Sequence, residues 1–481
     1  MVFSSESFLF LFLPVFLAVY YLTPLRFRSY PILFGSYVFY AWWRVDFLGL
    51  LFLTTCFAYF IGRQIAKHRE TPKGRTYLLI GVVGCLGVLG VFKYLNFFLD
   101  SFAALLGTDT AGLGIHWRLI LPIGISFYIF QALSYLIDVF RKDATADAKF
   151  VDFAAFIALF PQLIAGPILR YKDLENQFKK RDHSLELFCD GLARFLVGLA
   201  KKVILADSVA PLADLAFSTN EPGLLLAWAG ASAYMLQLYF DFSGYSDMAI
   251  GLGKMMGFRF LENFRFPYIS RSITEFWRRW HISLSNWLRD YLYISLGGNR
   301  KGPARTYVNL MLVMVLGGLW HGANWTFVLW GIWHGGLLAS ERFYGWDRSA
   351  KDNWLALPLT LLFVLIGWVM FRAAHVGEAF TVYGGMLGMN GLYGDTAALA
   401  AVTRESITFA VLAIIVVMIE PIIDRFLANG QPRAMAVIGG ENYVLRQSVS
   451  VGSTFAVLAI GSFTVLKLAE QNFSPFLYFQ F

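Results

Sequence analysis

Charge is scarce in this chain. Lys, Arg, Asp and Glu together make up 15% of 481 residues, against 57% hydrophobic residues. A soluble protein of this size needs far more charge to cover its surface, so a separate soluble domain is excluded on composition. Cysteine is nearly missing: Cys56, Cys85 and Cys189 are unclustered, within or beside apolar stretches, and suggest neither a disulfide framework nor a zinc site. Several chemical signatures are absent too. There is no HExxH helix, no phosphate loop ending in Gly-Lys-Ser/Thr and no GxSxG elbow. Paired broken helices and internal repeats of the transporter kind are not found. The first apolar run has Glu6 and no basic residue before it, while Arg26 and Arg28 follow it. That order argues against a secretory signal peptide and for a first helix that stays, with its N-terminus outside.

What the chain does have is apolar runs from end to end. They predict one all-α, polytopic integral-membrane domain over 1–481, with roughly ten to thirteen membrane helices, some re-entrant or interfacial. The formal net charge of +8 gathers in short loops between apolar runs. This is the positive-inside pattern rather than a nucleic-acid signal. Loop 62–76 holds Arg63, Lys67, Arg69, Lys73 and Arg75 against Glu70 alone and is placed in the cytoplasm, as is 254–280.

Segment 150–169 has basic flanks on both sides, Arg141, Lys142 and Lys149 before it and Arg170, Lys172, Lys179, Lys180 and Arg181 after it. Pro161 and Pro167 break it. A re-entrant hairpin satisfies both facts better than a crossing. At 237–251 Asp241 and Asp247 interrupt apolar sequence, and a helix break with a polar network is one reading of them. Residues 275–294 show helical periodicity, with Trp277, Trp280, Leu284, Trp287, Leu288 and Tyr291 on one face. The loops between 341 and 446 are nearly charge-balanced, so the orientation of the C-terminal third is open.

Seven histidines are present. His68 and His183 fall in basic loops, His116 in an outer loop and His375 near a helix end. His321 ends a charge-free rise of fifteen residues from Arg305, about 22 Å of helix, deep in the hydrocarbon layer. Gly317, Gly318 and Gly322 around it allow a bend or close ligand approach. A neutral imidazole there can take a proton from a hydroxyl and return one; a buried histidine tying two helices together is the alternative. His334 in WGIWHGG is assigned to packing.

The stretches QLYFDFSGYSDMAIGLG, FWRRWHISLSNWLRDYLYISLGGNRKG and GGLWHGANWTFVLWGIWHG resemble the membrane-bound O-acyltransferase family, in its bacterial polysaccharide branch. The opening MVFSSESFLFLFLP and the ending SPFLYFQF are similar to that branch as well. The resemblance spans nearly the whole chain and is weakest over 373–445.

It implies an O-acyltransferase with 237–335 as the histidine-bearing catalytic core. The family's catalytic histidine matches His321, and its second histidine matches His281. By resemblance, an acetyl group passes from a cytoplasmic donor, acetyl-CoA, across the bacterial inner membrane to a separate periplasmic acetyltransferase of SGNH type. That partner then acetylates an exopolysaccharide, alginate first among the candidates. No bound cofactor and no metal are expected, and donor-binding residues are not assigned. A transporter or scaffold of an export complex, or a family member acting on cellulose or teichoic acid, stands as the alternative. The partners are then the lipid bilayer and the periplasmic enzyme, with no nucleic acid.

Overall fold

The computed structural model describes residues 1–350, 353–428, 451–470 and 476–477. Helices are the regular secondary structure of these residues, joined by turns and loops, with one isolated bridge between Pro222 and Gly394. In chain order the principal helices are α1 (Ser7–Leu22), α2 (Ser29–Ala41), α3 (Asp46–His68), α4 (Pro72–Leu105), α5 (Ile125–Arg141), α6 (Phe150–Ile157), α7 (Phe160–Leu163), α8 (Tyr171–Lys179) and α9 (185–218). There follow α10 (Leu224–Met255), α11 (Ile273–Arg279), α12 (282–293), α13 (Pro303–His321), α14 (Trp325–Tyr344), α15 (Ala356–Arg372), α16 (Val376–Met386), α17 (Arg404–Ala428) and α18 (Val451–Glu470).

Among them α3, α4 and the Arg404–Arg425 part of α17 are long and apolar enough by themselves to cross a membrane. The helices α10, α13 and α14, of 32, 19 and 20 residues, are long enough too but carry glycines, tryptophans and histidines, and they fall outside that apolar set. Hydropathy recognises lipid-facing helices best, and these three put polar and aromatic groups toward protein.

The basic loops meet on one face. Lys142 pairs with Glu70 at 2.5 Å, Lys172 with Asp143 at 3.4 Å and Arg170 with Asp290 at 2.8 Å. The Arg259 amide donates to Gln177 Oε1 at 2.7 Å, which brings in 254–262. The opposite face joins 40–43, 100–123, 322–325 and 373–375, through Tyr40 to the Ile123 carbonyl and Asn324 to the Ala374 carbonyl. Charges hundreds of residues apart in sequence thus sort to one side, as the positive-inside reading requires.

Segment 150–169 turns back as expected. The eight residues of α6 rise only about 12 Å. The chain then breaks at Ala158 and Leu159, makes the single turn α7 and returns extended to Arg170. Its flanks adjoin: Thr145 N donates to Glu175 Oε2 at 3.2 Å. The buried tip is held where a crossing helix would be, with Phe160 N donating to Ser36 Oγ at 3.1 Å.

Two expected features differ. No break occurs at 237–251, because α10 runs unbroken for 32 residues. Its carboxylates are matched from α9, whose backbone widens at Lys201–Ala206 and sends two adjacent lysines to different partners. Lys202 reaches Asp241 at 2.8 Å and Asp207 at 2.6 Å, while Lys201 reaches Asp247 at 3.1 Å and Glu420 at 2.6 Å. Helices α9 and α10 approach backbone to backbone, since a β-carbon on Gly198 would lie 2.6 Å from the Gly244 carbonyl. The second difference is in 275–294. It is not one helix but two, divided at Trp280 and His281, where the His281 backbone turns left-handed with φ +44°.

The C-terminal third takes a defined orientation. Arg372 pairs with Asp214 at 2.7 Å, and Pro222 bridges Gly394. Lys467, near the end of α18, pairs with Glu405, at the start of α17, at 3.2 Å. The loop 387–403 therefore lies on the face opposite the basic loops.

Candidate active site

A cleft of about 580 Å³ enters from the face opposite the basic loops. Trp42, Trp43 and Pro122 stand among its outer lining residues, and Lys93, Ser126 and His321 are among the inner ones. It has a floor because α13 stops there. His321 is the last residue of that helix, and Gly322 continues in extended conformation before Asn324 caps α14. Gly124 shapes another wall. Its φ is +74°, and a β-carbon there would lie 2.6 Å from the Leu163 carbonyl at the re-entrant tip.

The imidazole of His321 is enclosed by rings. Trp330 lies at 5.4 Å, Phe371 at 5.2 Å and Trp320 at 5.1 Å, centroid to centroid. The glycines near it serve helix packing rather than ligand approach. A β-carbon on Gly318 would strike the Phe327 carbonyl of α14 at 2.2 Å, and one on Gly322 would strike the Phe327 ring.

His281 lies 6.2 Å from His321, centroid to centroid. The two rings are too far apart for a direct nitrogen-to-nitrogen hydrogen bond and near enough to face one bound group. His281 is wholly buried, with Phe242 edge-on at 4.7 Å. Its tautomer follows from the network around Asn263. Asn263 donates from Nδ2 to Ser246 Oγ at 3.0 Å, so its Oδ1 is the acceptor. That oxygen takes Ser283 N at 3.2 Å, Ser283 Oγ at 2.9 Å and His281 Nδ1 at 3.1 Å. Nδ1 therefore carries the proton, and Nε2, which meets no protein hydrogen-bond partner among the described residues, keeps a lone pair. The returning strand of the hairpin braces the same cluster, as Ile168 N donates to Ser283 Oγ at 2.9 Å.

Both histidines singled out in the sequence thus come together, one of them on the cleft. The remaining histidines do not join them. His334 packs against Trp330 at 5.0 Å and Trp277 at 5.2 Å. His375 caps α16, its Nδ1 accepting from Glu378 N at 3.1 Å. His183, read as a loop residue, lies 2.9 Å from the Tyr20 hydroxyl.

Two neighbours were missed. Lys93 is the only charged residue in 77–99, and that isolation inside an apolar helix was a usable signal. Asn263, in the run LENFRFP, gave none. The C-terminal Phe476 and Leu477 also reach this neighbourhood. Leu477 N donates to Asp241 Oδ2 at 2.9 Å, and Phe476 lies 4.5 Å from Tyr245 and 6.4 Å from Phe242. Both residues are buried in the core, and residues 478–481 lie outside the described residues.

An enclosed imidazole pair at the end of a cleft in a membrane helix bundle suits proton transfer during attack of a hydroxyl on an acyl carbon. The comparisons agree. A profile of the membrane-bound O-acyltransferase family matches residues 32–375. The chain is 50% identical over the full length of both chains to "Probable alginate O-acetylase AlgI" of Azotobacter vinelandii. It is 37% identical to "Peptidoglycan O-acetyltransferase" of Helicobacter pylori, across 82% of this chain and 81% of that one. Similarity extends at 29% to "Teichoic acid D-alanyltransferase" of Bacillus subtilis, over 53% of this chain and 69% of that one. With its helical fold, its two facing histidines and this match over most of its length, the chain belongs to the membrane-bound O-acyltransferase family.

Proposed function

We propose that the protein is a multi-pass O-acetyltransferase of the bacterial inner membrane, acting in the O-acetylation of alginate. In this reading acetyl-CoA donates from the cytoplasm, on the side of the basic loops. The acceptor hydroxyl enters through the cleft from the periplasm and belongs to a separate periplasmic acetyltransferase, which finishes the transfer to polymer.

The observation that carries the reading is the cleft ending on His321 from the face opposite the basic loops. His321 accepts the proton of the incoming hydroxyl as its oxygen attacks the acetyl carbon. The carbon–sulfur bond of the thioester breaks, and the proton passes to the departing thiolate. His281, held in one tautomer by Asn263, offers the Nε2 lone pair to the same space. The full-length match to the alginate relative, against a match over about half of this chain to the D-alanyl relative, supports acetyl and alginate over D-alanine and teichoic acid.

The test is purified protein in lipid nanodiscs with labelled acetyl-CoA and the soluble periplasmic acetyltransferase. Label should reach the partner with wild type and not with His321→Ala. Transfer by His321→Ala at the wild-type rate would favour a transporter or scaffold.

A further inference from the structure

Every carbonyl in the last turn of α13 is accounted for, and the accounting singles out one side chain. A helix ends with four carbonyls that lack intrahelical partners. Here Gly322 N donates to the Gly318 carbonyl at 3.3 Å, and the Tyr94 hydroxyl donates to that of Leu319 at 3.0 Å. Lys93 Nζ donates to the carbonyls of Trp320 at 2.5 Å and His321 at 3.1 Å. Its third donor goes to Ser126 Oγ, at 3.2 Å, on α5. The clamp works because α4 widens over Gly90–Tyr94, which presents two consecutive residues to the same helix end.

A neutral donor would cap a carbonyl, as Tyr94 does, so capping alone does not require a charge. Lys93 is 8% exposed, and among the described residues no carboxylate pairs with it. Among the described residues it is the only lysine or arginine lining the cleft, and none of those lining residues is an aspartate or glutamate. Its charge faces the negative pole of α13, which carries about half an elementary charge. The oxyanion that forms on the carbonyl oxygen when an acyl group is attacked beside His321 would be repelled by that pole. A buried cation against it removes the repulsion and leaves the cleft favourable to negative charge.

We propose that Lys93 is a positioning residue for acyl transfer: it fixes His321 through the end of α13, and its unpaired charge biases the cleft toward the anionic transition state. The inference rests on the acyl-transfer reading of His321. Lys93→Met keeps the stem and removes both charge and donors; Lys93→Gln keeps donors without charge; Lys93→Arg keeps the charge. In the nanodisc assay, with wild type and His321→Ala alongside, Lys93→Met and Lys93→Gln should lower kcat by on the order of tenfold to a hundredfold. Their KM for acetyl-CoA should stay near the wild-type value, and Lys93→Arg should recover a clear part of kcat. Wild-type kcat in Lys93→Gln would overturn the role of the charge. Equal loss in all three variants, in proportion to folded protein, would reduce Lys93 to a structural cap and overturn the proposal. Should Lys93→Met fail to accumulate, the Gln and Arg pair decides alone. If wild type takes no acetyl from acetyl-CoA, the donor reading fails separately. Polymer acetylation in cells then judges Lys93, and the order wild type, Arg, Gln is required.

Discussion

His281 holds a backbone angle of φ +44° that residues with a β-carbon rarely adopt, at a cost of about 1–2 kcal/mol. The strain is tolerated because the turn does two things at once. It starts α12 immediately after α11, and it points the ring at Asn263, whose oxygen also gathers both donors of Ser283. Asn263→Ala should therefore do more than remove one bond. It leaves buried donors without an acceptor, which costs about 1–3 kcal/mol, and it frees the His281 tautomer. We expect a lower melting temperature in detergent and acetyl transfer reduced by about tenfold; unchanged transfer would show that the tautomer is immaterial. His281→Gln can still donate to Asn263 but loses the second ring nitrogen, so it should fold like wild type and transfer more slowly. Comparison of its melting curve with its initial rate separates the two effects.

At the scale of elements, the pair α9 and α10 holds up the histidine region from behind. Lys202 and Asp241 are almost fully buried, at 3% and 1% side-chain exposure. Breaking such a pair costs about 3–5 kcal/mol, because the remaining charge stays buried, whereas an apolar replacement of both partners is far milder. Lys202→Met should thus lower the amount of inserted protein sharply, because Asp241 and Asp207 both lose the Lys202 ammonium, and adding Asp241→Leu should restore part of it, as measured by membrane immunoblot and thermal stability. Equal abundance of the single and double variants would contradict this. Because Asp241 also accepts from Leu477, the C-terminal residues share its fate. Phe476→Ala should reduce acetyl transfer more than abundance, since Phe476 packs on Phe242, which in turn meets His281. The re-entrant hairpin makes its own prediction. After replacement of Cys56, Cys85 and Cys189, single cysteines at 145 and at 180 should both react with an impermeant reagent from the cytoplasmic side only.

For the whole molecule, the sorting of basic loops sets the orientation, and the Arg372–Asp214 pair and the Pro222–Gly394 bridge carry it into the C-terminal third, where Lys467–Glu405 aligns α18 with α17. Cysteines at 112 and at 391 should be labelled from the same side, and one at 73 from the other. Labelling of 391 together with 73 would invert α15 to α18 relative to the rest.

Much of this was legible in the residues themselves. Composition dictates a helical membrane protein because apolar runs must satisfy their backbone internally in lipid. The two basic flanks and two prolines of 150–169 required a turn-back, since one crossing would strand positive charge on the wrong side. His321 stood out as an ionisable group within a long charge-free run. Periodicity alone, however, read 275–294 as one helix. It cannot register a left-handed turn that is stabilised by Asn263, 18 residues away. Nor could it place Lys93 against carbonyls 227 and 228 residues downstream, or Leu477 against Asp241 236 residues upstream. Local pattern records which groups are costly to bury. Which partner offsets each cost is decided by packing between distant helices, and in this protein that packing assembles the cleft, the histidine tautomer and the clamped end of α13.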